Sequence, residues 1–389
     1  MSKLSELLLS LCPNGVEKKA LCEIACINRG KRVVKKDLSE EGHIPVFQNS
    51  LTPLGFYDQA NNPAQTCFII IAGAAGDMGY SETPFWAADD CLAINCGEKA
   101  MSRFLFHVLS SQQPFIYSQV RRSSIPRLPR KVIDDLMVPV PPLDVQAEIV
   151  RILDNFTELT AELASELMGE YEKRNRQYEY YLDSYIAAVC SKRMIKLDDC
   201  LEWITYGFTS PMSDTSSGPW KITARDIQDG MVKLSTARHT SQKEFDQLTP
   251  KCKPVVGDLL LTKDGALGRT AIVEQEGMCI NQSVALLRVN RELLLPEYLS
   301  FVLQSNSVQE KMMADVGGGT IKHIYITRVN QMLIPVPPIE TQKIAVAMLN
   351  KVSTLWKACL NEIATEIKAR QKQYEYYRDI LLTFPELKQ

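Results

Sequence analysis

A chain of 389 residues is too long for one ordinary hydrophobic core and predicts two or three domains. Hydrophobic residues at 45% and charged residues at 23%, with a net charge of −2, exclude a disordered chain and a globally basic nucleic-acid binder. The longest strongly apolar stretch, Cys67 to Gly76, is ten residues, where a membrane span needs roughly 20.

The opening MSKLSELLLSLCPNG has no long apolar signal core, so a soluble cytoplasmic protein is expected, with no membrane partner. Basic residues then cluster. Between Val16 and Lys36 stand Lys18, Lys19, Arg29, Lys31, Arg32, Lys35 and Lys36 against two acids. A β-rich run, Cys67-Phe68-Ile69-Ile70-Ile71, precedes Gly73-Ala74-Ala75-Gly76-Asp77-Met78-Gly79. That glycine-rich segment superficially suggests a cofactor loop, but its counterpart Asp264-Gly265-Ala266-Leu267-Gly268 is a hairpin signal, and a turn is expected in both places. A second apolar run, Cys91-Leu92-Ala93-Ile94, is followed by a second basic cluster, Arg121, Arg122, Arg127, Arg130 and Lys131, with no acid among them. Clustered charge of this kind fits phosphate neutralisation.

Pro139-Val140-Pro141-Pro142-Leu143 opens a helical stretch and recurs as Pro335-Val336-Pro337-Pro338-Ile339, a shift of 196. Gln177-Tyr178-Glu179-Tyr180-Tyr181 recurs at the same shift as Gln373-Tyr374-Glu375-Tyr376-Tyr377. Gap-free spacing over this length predicts a packed rod, because loops tolerate insertions and packed helices do not. Apolar rungs fall at Ile152, Phe156, Leu159, Leu163, Leu167, Tyr171, Tyr178, Tyr181 and Tyr185. In the second copy they fall at Met348, Val352, Leu355, Cys359, Ile363, Ile367, Tyr374, Tyr377 and Leu381, with Arg174 and Arg370 on the remaining rung of each. Their mean step is that of a nearly straight helix, and about 45 residues would reach roughly 65–70 Å.

One narrow apolar stripe on each rod predicts that the two pair, with Ile152, Phe156, Leu159, Leu163, Tyr178 and Tyr181 meeting Val352, Leu355, Ile363, Ile367, Tyr374 and Tyr377 in a seam. Net charges of −4 over 143–194 and +2 over 339–389 favour this pairing over self-association. Tyr180 and Tyr376 are expected on a side facing a partner. Residues 1–142 and 195–338 have single-domain size. Both mix short β-rich runs with turns, the second through Asp258-Leu259-Leu260-Leu261-Thr262 and Val284-Ala285-Leu286-Leu287. Both end on a similar lead-in, Ser124-Ile125-Pro126-Arg127-Leu128 and Thr320-Ile321-Lys322-His323-Ile324. An α+β chain results: globule 1–142, rod 143–194, globule 195–338, rod 339–389.

These residues resemble a known family. The globule–rod–globule–rod order, the PVPP step and the Gln-Tyr-Glu-Tyr-Tyr helix ends are similar to the specificity subunit of type I restriction-modification systems. So are Leu11-Cys12-Pro13-Asn14-Gly15-Val16-Glu17, Gly257-Asp258-Leu259-Leu260-Leu261-Thr262-Lys263-Asp264-Gly265 and Asn281-Gln282-Ser283-Val284-Ala285-Leu286-Leu287. The resemblance covers essentially the whole chain. It implies two target-recognition domains that each read one half of a bipartite double-stranded DNA target. The long helices would pair as an antiparallel coiled coil, in a circular pseudo-two-fold arrangement that sets Leu4, Leu7, Leu8 and Leu11 beside the end of the last helix. It also implies docking of methyltransferase subunits, expected as two, and of restriction subunits through them, with no catalytic centre in this chain. One departure is Phe47-Gln48-Asn49-Ser50, where the family often has an aromatic residue followed by glycines.

With the resemblance, the DNA-contact candidates are Arg29, Lys31, Arg32, Lys35, Lys36, Arg121, Arg122, Arg127 and Arg130 in the first globule. In the second they are Arg225, Lys243, Lys322 and His323, with Lys221, Arg238, Lys251 and Lys253 more dispersed. Neither catalytic nor metal-ligating residues are assigned, and no cofactor is expected. The chain has no GxxxxGK[ST] loop and no Asn/Asp-Pro-Pro-aromatic tetrapeptide, and its eleven cysteines contain no CxxC pair. They are expected to be buried reduced thiols. A stand-alone DNA-binding protein and a methyltransferase in its own right are the competing readings.

Overall fold

The computed structural model describes residues 2–39, 41–122, 124–189, 193–314 and 323–387. The chain forms two compact units, residues 1–167 with 364–389, and residues 168–363. Their boundaries fall inside the two long helices, Leu143–Val189 and Ile339–Leu381.

In the first unit a four-stranded antiparallel sheet runs in the order Ala25–Arg29, Cys91–Cys96, Thr66–Ile70, Met78–Ser81. All five residues of Thr66–Ile70 are buried, as a strand covered on both faces requires. One face packs on helix Ser102–Ser111 through Phe104, Leu105, Val108 and Leu109. The other packs on a small sheet in which Ile44–Phe47 pairs antiparallel with Gly55–Tyr57 and parallel with Trp86–Ala87. Phe47, Phe68 and Phe85 close that junction, with ring centroids 4.5–5.7 Å apart.

The second unit repeats the topology. Its four-stranded sheet runs Leu201–Tyr206, Val284–Val289, Leu259–Thr262, Thr270–Ile272, again antiparallel. In its small sheet Thr215–Ile222 pairs antiparallel with Arg238–His239 and parallel with Met278–Ile280. The hairpin turns also correspond. Gly76 N–H donates to Ile70 O and Ile70 N–H to Asp77 O, while Gly268 N–H donates to Thr262 O and Thr262 N–H to Arg269 O, all at 2.8–2.9 Å. Gly73, Gly76, Gly265 and Gly268 all have φ between 75° and 96°, which explains glycine at both pairs of positions. The glycine-rich segment of the first globule is therefore a turn.

A buried amide fastens each long helix to its unit. Gln146 Oε1 accepts from Met101 N–H at 2.8 Å, and its Nε2 donates to Lys99 O and Pro141 O. Gln342, at the repeat shift, accepts from Leu295 N–H and donates to Leu293 O and Pro337 O. The proline step feeds into a short ladder in each unit, Lys18–Ala20 with Met137–Pro139 and Met194–Lys196 with Leu333–Pro335. In the first unit the helix Lys3–Leu11 puts Leu4 into one cluster with Leu382 and Phe384, and Val16 N–H donates to Pro385 O at 2.9 Å.

The apolar faces of the long helices differ from the expected rungs. Val145, Ile149, Leu153, Leu182, Ile186, Ala345, Leu349, Leu360 and Ile363 are the buried apolar residues. Of the expected seam, Ile363 is buried. Ile152, Leu163, Tyr178, Tyr181, Val352, Ile367 and Tyr374 are half-buried, and Phe156, Leu159, Leu355 and Tyr377 are exposed, Leu159 at 55% and Leu355 at 71%. Near each helix start the buried face is set by the globule core, as with Val145, Ile149 and Leu153. A single step count along the whole rod cannot register that rotation. The helices do touch inside each unit. Phe156 lies 5.8 Å from the Tyr377 ring and Thr157 Oγ1 donates to Tyr374 Oη in the first, while Tyr178 stacks on Trp356 at 4.2 Å and 8° in the second. Arg174 and Arg370 are exposed, each bonded to the Glu four residues before and the Gln three residues after.

Candidate nucleic-acid interface

In the first unit the two basic runs, some ninety residues apart in sequence, converge on residues 87–91. Strand Ala25–Arg29 ends where Gly30 N–H donates to Cys91 O and Lys31 N–H to Ala87 O, while Trp86 Nε1 donates to Lys31 O at 2.8 Å. Ile71 N–H donates to Asp90 O, and Leu128 N–H donates in turn to Ile71 O. Arg121 and Arg127 form a two-way backbone bridge, and Pro126 O accepts from Gly73 N–H at 3.1 Å.

The candidate cations then separate by what holds them. Lys31, Arg32, Lys36, Arg121, Arg122 and Arg127 are exposed, and among the described residues none is in an ion pair. Arg29 Nε donates to Asp89 O at 2.7 Å. Arg130 donates to Ile27 O at 2.9 Å and pairs with Asp134, which ties two elements of the fold together. Lys18 and Lys19 pair with Glu386 and Glu17. The Lys35 side chain and Lys322 lie outside the described residues.

Cations of the second unit are more neutralised. Asp214 takes both Lys221 and Arg238, and Lys221 also donates to Met212 O and Ser213 O. These two cations, Lys221 first, hold the Asp214 carboxyl below the usual range. Arg225 sits on a turn with a Thr223–Asp226 capping box, its guanidinium 3.3 Å from Thr236 O and 3.5 Å from Asp226. His323 and Lys263 share Asp264. Lys253 lies over Phe245 and donates to Asp246 O. Lys243 and Lys251 are exposed, and among the described residues neither is in an ion pair. His323 bridges Asp264 as Arg127 bridges Ala72, so these two candidates occupy one position of the repeated fold.

Comparison with known proteins follows this duplication. The model of the type I restriction modification DNA specificity domain matches twice, over residues 13–169 and 212–369. The chain belongs to this family. A Haemophilus influenzae protein named as a type I restriction enzyme specificity subunit is 30% identical over 95% of this chain and 96% of its own. The specificity subunit of the Escherichia coli type I enzyme EcoR124I/EcoR124II is 31% identical over 62% of this chain and 60% of its own. A solved chain described under complex assembly and conformational transition of the type I restriction-modification system has 17% identity and a TM-score of 0.67. That match covers 95% of this chain and 98% of that one, a likeness of fold.

Within this specificity-family chain, several polar groups escaped the sequence reading. His107 is 1% exposed, its Nε2 is 2.8 Å from Asp154, and its Nδ1 has no partner among the described residues. Burial lowers its pKa, against the Asp154 hydrogen bond. Arg288 forms a two-point pair with Asp258 under the Trp203 ring, and the Trp220 and His239 rings lie 3.8 Å apart, tilted by 33°. Ten described cysteines are free, and the expectation of burial holds only in part. Cys67, Cys91, Cys200 and Cys279 are buried while Cys22 and Cys26 are exposed. Burial pushes Cys67 and Cys279 up to about 12, far from a reactive thiolate. Among the described residues no group of three His, Cys, Asp or Glu side chains could hold a metal, and no helix is long and apolar enough to cross a membrane.

Proposed function

We propose that this chain is the DNA-recognition subunit of a type I restriction-modification enzyme and that each globule, 1–142 and 195–338, reads one half of a bipartite, asymmetric target. One observation carries the reading: a single topology is used twice while its cations are disposed differently. The first unit leaves Arg121, Arg122 and Arg127 exposed beside its hairpin turn. The second commits Lys221, Arg238 and His323 to carboxylates. One scaffold with two surfaces suits two different half-sites, with phosphate contacts positioning the chain and base contacts specifying it.

The helices Leu143–Val189 and Ile339–Leu381 act as an antiparallel spacer. The contacts of Phe156 with Tyr377, Thr157 with Tyr374 and Tyr178 with Trp356 support that pairing. The junction of Val16 with Pro385 supports a circular pseudo-two-fold arrangement, because it joins the chain's two ends where the second unit has continuous chain. Two methyltransferase subunits dock on the helices, and restriction subunits join through them. Tyr180 and Tyr376, 75% and 63% exposed at repeat-related positions, suit that docking. Methylation and cleavage belong to those partners, and family membership disfavours a stand-alone role. Single-molecule methylation mapping of host DNA, with the gene present and deleted, tests this. Loss of one bipartite motif is expected, and an unchanged methylation pattern overturns the reading.

A further inference from the structure

The loop after the central strand of the first small sheet is polar, exposed and firmly held. Phe47 O accepts from Ala88 N–H at 2.8 Å, and the Phe47 ring stacks on Phe68. Asn49 O accepts from Ala74 N–H at 2.9 Å, and Ser50 Oγ donates to Thr52 O. The approach is close enough that a Cβ at Gly73 would stand 2.8 Å from Asn49 O and 2.9 Å from Asn49 Cβ. Glycine at 73 is what lets the loop sit down on the hairpin. The Asn49 side chain is exposed, and among the described residues its amide makes no hydrogen bond.

Adjacent amides of the hairpin hold this loop and the second basic run. Gly73 N–H takes Pro126 O and Ala74 N–H takes Asn49 O, so Asn49 and the Arg121–Arg127 bridge flank one turn. A free carboxamide on a fixed backbone, beside unpaired arginines, has the composition of a base-reading contact. The arginines take phosphates, and a carboxamide matches the N6 donor and N7 acceptor of adenine in the major groove. The second unit puts Ala224 in the place of Asn49, with Arg225 one residue further on where the first has Ser50. Asn281 N–H donates to Ile222 O as Ala88 N–H does to Phe47 O, and Thr223-Ala224-Arg225 follows where Gln48-Asn49-Ser50 stands in the first.

Resting on the proposed role in DNA recognition, we propose that Asn49 is a specificity-determining residue of the first globule, reading one adenine of its half-site by a two-point amide contact. The test is methylation mapping in host cells carrying the wild-type gene, Asn49→Ala, or the deletion, with the soluble full-length chain quantified in each. The alanine variant should relax the motif at one A·T pair in one half only, with that pair's preference falling about tenfold or more. Asn49→Asp, which accepts but cannot donate, should lose adenine at the same pair. A motif unchanged by Asn49→Ala overturns the proposal, and so does uniform loss of methylation at every site with the soluble chain at wild-type level. Should the alanine variant fail to accumulate, Asn49→Ser takes its place under the same criteria. If deleting the gene removes no motif, the recognition role itself falls, an outcome distinct from failure of the Asn49 assignment.

Discussion

Gln146 and Gln342 each satisfy three backbone groups, through one buried and two part-buried hydrogen bonds, and both residues are fully buried. A leucine there would leave two carbonyls and one N–H without partners, at about 1–3 kcal/mol for each orphaned group. Gln342→Leu should therefore lower unfolding stability by about 3 kcal/mol or more in urea titrations, and a loss below about 1 kcal/mol would deny the clamp its role. The repeat offered a trace of these residues, since both copies carry Gln at the same shift. Apolar periodicity passes over a polar residue, so nothing in the pattern indicated burial. His107 supplies a pH test. Its folded pKa lies below the ordinary value through burial, with Asp154, Arg103 and Arg378 around it. The folded chain thus binds fewer protons than the unfolded one, and its stability falls as pH drops below about 6.5. The melting temperature should decline from pH 7.5 to 5.5 by less in His107→Gln than in wild type, and equal declines would contradict this.

At the scale of elements, starts and lengths were legible and faces were not. The PVPP step and the 3.6-residue period point to helices that begin at Leu143 and Ile339. A hairpin was readable from paired glycines at 73, 76, 265 and 268. Which stripe of a helix is buried depends on the body it meets, and the globule core takes Ile149 and Ala345 where step counting favoured Ile152 and Met348. The basic clusters were visible as composition, but the engagement of Arg130 with Ile27 O and Lys221 with Asp214 depends on folding. Ile363→Asp sets a charge at a buried position of the second helix and should cost several kcal/mol, whereas Leu355→Asp, on an exposed position, should stay within about 0.5 kcal/mol. Chemical denaturation of the two variants would test the buried face, and equal losses would restore the stripe first expected from the rungs.

For the whole molecule, the proposed spacer role ties helix length to the gap between half-sites. Four residues inserted between Leu163 and Leu167 of the first helix alone would add about one turn, roughly 6 Å at 1.5 Å per residue. The second helix would have no matching increment, and contacts such as Tyr178 with Trp356 could not all re-form. That variant should lose sequence-specific methylation. Four residues inserted in both helices at paired points keep the contacts on either side in register and lengthen both rods alike. Since base pairs repeat about every 3.4 Å, the matched insertion should restore methylation at a motif whose central gap is longer by about one or two base pairs. Both half-sites should stay unchanged, because neither globule has been touched. Methylation mapping reads gap and half-sites in one experiment. A matched variant that stays active with its original gap would refute the spacer, whereas altered half-sites with a longer gap would mean that the helices also shape the reading surfaces.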